Sequence, residues 1–317
     1  SENELDALCP KIKGESESIR NLKERIVRLG KNFPILLTGE RGTGKDLVAK
    51  TIYDIHESGL EYIPINCSGM TSELLPSELF GHKKGSFTGA YKDKEGILTN
   101  SANKIVFLDE ITDIPLGVQR TLNRFLENGE YRRVGETNPR ILDDIPRIIA
   151  ATNEDIYNND IFRQDLRSRF GTPFKIPPIR ARMDDIPILI SHFLSIQSEI
   201  HRSPFVIDEI LMNELKNYTW PDNVRQIKNW VQEACIATYS DMITEDILNF
   251  VPFDSIPENV TQPIRLPDFP FNITEHLAHI KETAIETALQ KSGGNRVKAS
   301  RLLKQSDNYI SSWQNKK

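Results

Sequence analysis

Glycines at 39, 42 and 44 followed by Lys45 and Asp46, in the string GERGTGKD, have the residue types and spacing of a loop that wraps phosphate. Glycine lets successive backbone N–H groups turn toward one anion, and a lysine at the end of the loop adds a point charge for the outer phosphates. Gly39, Glu40, Gly42, Thr43, Gly44, Lys45 and Asp46 are therefore the candidate nucleotide contacts. A glycine-rich turn with no ligand would carry the same letters, and the strict pattern ends in Ser or Thr where this chain has Asp46. A second string narrows the chemistry. IVFLDE at 105–110 is an apolar run closed by two acids, which suits Asp109 to approach a Mg2+ ion and Glu110 to orient an attacking water. Phosphoryl transfer is catalysed by positioning and charge, so the pair of strings points to ATP hydrolysis, with Asp109 and Asp46 as the metal candidates.

A phosphate loop works between a buried strand and the first turn of a helix. Residues 35–37 supply the strand and 45–56 the helix, and 62–66, 105–108 and 147–151 read as further strands. Apolar runs alternating with amphipathic stretches are the pattern of a parallel sheet covered by helices, an α/β fold. After Pro177 and Pro178 the strand-like runs stop, and 186–200, 207–217 and 224–240 have helical spacing, so an all-helical subdomain is expected there. Prolines at 252, 257, 263, 267 and 270 allow neither a helix nor a central strand and mark a linker.

Composition bounds these readings. The chain has 317 residues, 40 Lys+Arg against 45 Asp+Glu, a net charge of −5, 38% hydrophobic and 27% charged residues. Those values exclude collagen-like, mucin-like and wholly disordered chains, and no global basic field advertises nucleic acid. From Asn272 onward, however, eight Lys/Arg face four Asp/Glu, so a small basic module follows an acidic body. Apolar runs reach four residues, as in 105–108, far short of a membrane span, and three scattered cysteines fit neither a disulfide framework nor a zinc site. A reducing cytoplasm is the expected setting. The sequence opens on Ser1, as a processed form or a fragment lacking an N-terminal sensory part would.

With these residues in view, the chain resembles the bacterial enhancer-binding proteins, the NtrC-type AAA+ activators of sigma-54 RNA polymerase, over essentially its whole length. The most diagnostic segment is ELFGHKKGSFTGA at 78–90, similar to the ELFGH…GAFTGA loop of that family. There Gly85, Ser86, Phe87, Thr88, Gly89 and Ala90 would meet sigma-54, and two glycines flanking Phe87-Thr88 suit a mobile loop that exposes an aromatic anchor. The resemblance implies further roles in chain order. Asn66 would be a switch coupling Glu110 to the phosphate state, and Asn153, in the Ala151-Thr152-Asn153 strand end, a water-orienting sensor. Arg163 and Arg169 would be arginine fingers reaching the neighbouring subunit's ATP, and Arg225 the lid sensor in cis.

The expected architecture is an AAA+ P-loop ATPase with a parallel-sheet core over 1–178 and a helical lid over 179–252. A Pro-rich linker over 253–271 and an all-α Fis-type helix-turn-helix domain over 272–317 would follow. The partners implied are sigma-54 RNA polymerase holoenzyme, upstream enhancer DNA met by Arg296, Lys298, Asn308, Lys316 and Lys317, and further copies of the chain in a hexameric ring. Several positions depart from the family pattern: Asp46 for glutamate, Ser86 for alanine, Asn103-Lys104 for a glycine pair, and a recognition helix carrying Asp307 and no arginine. These departures keep two alternatives open, an AAA+ remodeller with a different client and a nucleotide-switched DNA-binding protein without productive hydrolysis. For the C-terminal helices, a dimerisation pair with Trp313 packed inside is the competing reading.

Overall fold

The structure is a computed structural model that describes residues 2–253, except positions 31, 32, 58, 72, 101–103, 159, 239, 250 and 252, together with Ile285 and Arg296. By its internal contacts the chain divides into Ser1–Ile256 and Pro257–Lys317, and the first unit carries the architecture below. Of the linker only Phe253 is described, and Asn103 and the helix-turn-helix residues Lys298, Asn308, Lys316 and Lys317 lie outside the described residues; Ile285 is helical and buried, and Arg296 helical and exposed.

Five parallel strands form the central sheet: β1 (Ile35–Thr38), β2 (Glu61–Asn66), β3 (Lys104–Asp109), β4 (Arg147–Thr152) and β5 (Phe174–Lys175). Their order across the sheet is β2-β3-β4-β1-β5. Successive residues of a strand point to opposite faces, and here both faces are covered. Leu36, Val106, Leu108, Ile148 and Ala150 enter one apolar layer with Leu79, Leu122, Phe125 and Phe162. Ile35, Leu37, Ile105, Phe107 and Ile149 enter the other with Ile19, Leu22, Ile26, Val48 and Ile52. That double burial is why β1, β3 and β4 read as unbroken apolar runs instead of alternating ones.

Helices α1 (Glu2–Leu8), α2 (Glu17–Val27), α3 (Lys45–His56), α4 (Leu74–Phe80), α5 (Leu116–Asn128) and α6 (Gln164–Arg169) accompany the sheet. The lid holds α7 (Ile186–His201), α8 (Glu209–Asn217) and α9 (Asn223–Ala237) around Ile190, Leu211, Trp220, Ile227 and Trp230. Trp220 and Trp230 satisfy their indole N–H groups on the carbonyls of Leu215 (2.8 Å) and Val251 (3.1 Å), so the large rings are buried without stranding a donor. Asp185 ties the lid entry to the segment before α2, accepting from the backbone N–H of Glu15 (2.8 Å) and Ser16 (2.9 Å) and from the Ser16 hydroxyl (2.7 Å).

Three expectations for the lid need correction. It is not wholly helical, because Val206–Ile207 and Met242–Ile243 pair as a short parallel ribbon. Consequently α8 does not begin at Ile207 but after Asp208, whose side chain caps it by accepting from the Leu211 N–H at 2.8 Å. The helix expected over 224–240 stops at Ala237.

Candidate active site

The strand register brings the candidate residues to one edge of the sheet. Asn66 pairs with Asp109, and Thr38 pairs with Thr152, so the turns after β1, β3 and β4 emerge side by side at the carboxyl ends, where parallel sheets bind ligands. Gly39 to Gly44 join β1 to α3, with Gly42 and Gly44 at φ +72° and +99°. The Lys45 ammonium lies inside this loop, donating to the carbonyls of Gly39 (3.0 Å) and Glu40 (3.4 Å), while the Thr43 hydroxyl donates to Glu40 O at 2.8 Å. Burial lowers the Lys45 pKa, and the charges of Glu110, Asp109 and Asp46 oppose that shift. Asp109 is raised, by burial first and then by Asp46 and Glu110. Three carboxylates therefore crowd one buried ammonium, a field that favours an added cation.

Asp46 and Asp109 line a common cavity of about 410 Å3 with Lys50, Tyr62 and Asn66. Among the described residues no cluster of three or more His, Cys, Asp or Glu side chains could hold a metal alone. Hard carboxylate oxygens sharing a cation with substrate phosphates are the usual Mg2+ arrangement, and this pair of donors fits it.

Glu110 holds a left-handed backbone, φ +51°, which costs a non-glycine residue about 1–3 kcal/mol. Its backbone N–H donates to Asp109 Oδ1 at 3.1 Å. The Asn153 backbone N–H donates to Glu110 Oε2 at 3.2 Å, and with the amide nitrogen facing the carboxylate its Nδ2 lies 2.7 Å from both carboxylate oxygens. Asn66 is not joined to Glu110. Its Oδ1 instead accepts from the Ser68 N–H (3.0 Å) and hydroxyl (2.6 Å), so Asn153 is the asparagine that grips the glutamate in this structure.

The lid meets the loop through residues that were less visible in sequence. Buried Asn223, φ +53°, accepts from the Ile179 N–H at 2.8 Å and donates to Arg41 O at 2.9 Å. Arg180 forms a two-pronged ion pair with Glu40, which holds that carboxyl below its usual range, so Glu40 faces the lid. Arg225, from α9, donates its backbone N–H to Gly42 O at 3.2 Å. A Cβ on Gly42 would sit 2.1 Å from Asp222 O. Gly42→Ala is therefore expected to destabilise the fold by about 1–3 kcal/mol and to weaken nucleotide binding with it; calorimetric unfolding and nucleotide titration check both.

Arg163 and Arg169 stand apart on and beside α6. Arg163 donates to Asp165 through Nε (3.0 Å) and a terminal nitrogen (2.7 Å) and lines a surface cavity of about 620 Å3. Arg169 donates to Asn123 (3.1 Å) and pairs with Glu127 (2.7 Å). Gln119, fully buried on α5, accepts from the Arg163 N–H at 3.0 Å and donates to the carbonyls of Ile114 and Ile161, fixing where α6 starts. An amide at helical spacing among the apolar positions of α5, with Asn123 one turn on, was its sequence signal.

The glycine-flanked loop is a compact tip. Gly85 and Gly89 have φ of +80° and +104°, and the Gly85 N–H donates to Ala90 O at 2.8 Å. Asp93 closes its base, accepting from the Lys84 N–H (2.8 Å) and the Lys83 ammonium (3.1 Å). The expected exposed Phe87-Thr88 pair is only half right: Thr88 is exposed, but Phe87 is half-buried with its ring edge-on to His82 at 5.0 Å. Buried His82 is itself held by Ser77, 2.7 Å from Nδ1.

Comparison with known proteins follows this geometry. The Sigma-54 interaction domain matches residues 12–173, and the AAA+ ATPase lid domain matches residues 180–262. The chain is similar to the DNA-binding transcriptional regulator NtrC of Azospirillum brasilense, 34% identical over 95% of this chain and 68% of that protein. It is also similar to the response regulator protein PilR of Pseudomonas aeruginosa, 33% identical over 92% of this chain and 66% of that one. Among solved structures, NtrX from Brucella abortus in complex with ATP superposes with a TM-score of 0.66 at 25% identity, covering 95% of this chain and 68% of that one. The chain thus spans about two thirds of the length of each of these proteins.

Proposed function

Because the chain belongs to the sigma-54-dependent activator family of AAA+ ATPases, we propose that it hydrolyses ATP between the subunits of a ring and uses the cycle to open promoters held by sigma-54 RNA polymerase. The observation that carries this reading is the gathering of Lys45, Asp109, Glu110 and Asn153 at one sheet edge, in the same chain as a glycine-flanked loop with an exposed Thr88.

In this reading the 39–44 backbone and Lys45 bind the phosphates, and Arg225 senses them from the lid. Glu110 takes a proton from the attacking water while Asn153 aims its carboxylate. Asp109 and Asp46 would hold Mg2+, which when bound neutralises charge on the outer phosphates. Arg163 and Arg169 complete the site of the next subunit in a ring, six subunits by the family resemblance. Glu40 serves binding indirectly, by fixing the loop to Arg180 and Asn223. Asn66 relays the phosphate state by exchanging Ser68 for Glu110. Upstream DNA would be met by Arg296 and the residues beyond it, in the cytoplasm; among the described residues no helix is long and apolar enough to cross a membrane.

The test is promoter opening by sigma-54 holoenzyme on supercoiled DNA with ATP. Thr88→Ala is expected to abolish opening while ATP turnover continues. Hydrolysis without opening by the parent chain would point to a remodeller with another client.

A further inference from the structure

The aromatic side chain that the 85–92 tip presents to solvent is Tyr91, 86% exposed, whereas Phe87 is turned onto His82. The backbone dictates this exchange. Bonds from Gly85 N–H to Ala90 O, from Ala90 N–H to Phe87 O and from Tyr91 N–H to Gly89 O curl the tip so that Phe87 and Ala90 point inward. Thr88, Tyr91 and Lys92 are left outward, beside Lys84 at the base. Lys83 and Lys94 are neutralised by Asp93 and Glu78, but Lys84 and Lys92 make no ion pair among the described residues. An exposed tyrosine beside two unpaired cations has the composition of an interface anchor with a charged rim.

Resting on the reading of this loop as the sigma-54 contact, we infer that Tyr91 is a second aromatic anchor for that partner. It fills an apolar pocket rimmed by carboxylates, with Lys84 and Lys92 facing the acids. Tyrosine suits the task because it buries a large rigid ring at small entropic cost and keeps its hydroxyl for the wet edge of the contact. The rim lysines steer encounter and set salt sensitivity more than they add affinity. Since Asp93 clamps the base of the tip through Lys83 and Lys84, Tyr91 and Thr88 move together whenever the tip is displaced.

The experiment measures binding of purified sigma-54 to the full chain in the presence of ADP and aluminium fluoride, for the parent and for Tyr91→Ala, Tyr91→Phe, Lys92→Glu and Thr88→Ala, with thermal unfolding of each as a check on folding. Tyr91→Ala is expected to weaken the complex about tenfold or more at an unchanged melting temperature, Tyr91→Phe to stay within about threefold of the parent, and Lys92→Glu to flatten the salt dependence. Parent-like binding by Tyr91→Ala beside a loss in Thr88→Ala would overturn the inference and leave the loop reading standing. If the parent itself forms no complex, both fall.

Discussion

Replacing Arg163 with alanine is expected to lower ATP turnover by about 10³- to 10⁵-fold, the loss typical of an arginine finger. The structure parks this side chain on Asp165, its neighbour on α6, at 29% exposure. Solvent screens a surface pair of this kind, so the guanidinium can leave Asp165 for a phosphate at little cost. Its backbone is far less free, because fully buried Gln119 accepts the Arg163 N–H and so sets where the side chain projects from. Arg169 is held by two groups of α5, Asn123 and Glu127, and loses more on release. A mixing assay gives the decisive readout. In the proposed ring a site would draw Lys45 from one subunit and Arg163 from the next, so Arg163→Ala combined with Lys45→Ala should recover activity that neither variant has alone. A loss below about tenfold, or no recovery on mixing, would remove Arg163 from the neighbouring site.

Glu110→Gln should cost about 10²- to 10⁴-fold in turnover while nucleotide binding survives. The amide keeps the shape of the carboxylate but cannot accept the proton of the attacking water. Removing one of three negative charges around Lys45 also relieves repulsion on Asp109, so nucleotide should bind somewhat more tightly than to the parent. Steady-state turnover paired with nucleotide titration separates the effects. If turnover were intact, Glu110 would not be the base; if binding collapsed with it, the substitution would have disturbed the strained φ +51° turn instead.

Most of the sheet and the phosphate loop were legible because β1, β3 and β4 are buried runs and the turns after them carry glycine or acid, whereas the two-residue β5 was not expected. The expected helix at 45–56 is α3 to the residue, bounded by left-handed Gly44 and by the end of its apolar period. Two-residue strands such as Val206–Ile207 have no period to detect, which is why the lid ribbon stayed hidden. The direction of Phe87 was beyond reach for a different reason: it depends on His82, whose ring is fixed by Ser77 on α4. Asn223 lies two residues before Arg225, the expected lid sensor, but its grip on Ile179 and Arg41 joins segments remote from one another in the chain. Periodicity reports burial, and it is silent about such cross-chain fastenings.

The strand order carries a consequence for synthesis. β1, the first strand of this sheet to leave a ribosome, has no neighbour among the sheet's strands that follow next: Ile35 waits for Ile149 of β4, and Leu37 waits for Phe174 of β5. Until then it is an apolar segment with two open edges, the kind of template on which growing chains aggregate. β2 and β3 can pair with each other meanwhile, so assembly starts at the far side of the sheet and closes on the oldest strand last. Long-range parallel pairing of this sort folds slowly. The phosphate loop, translated early, thus acquires its final support only after residue 175 is made, and a nascent-chain chaperone has that whole interval in which to act.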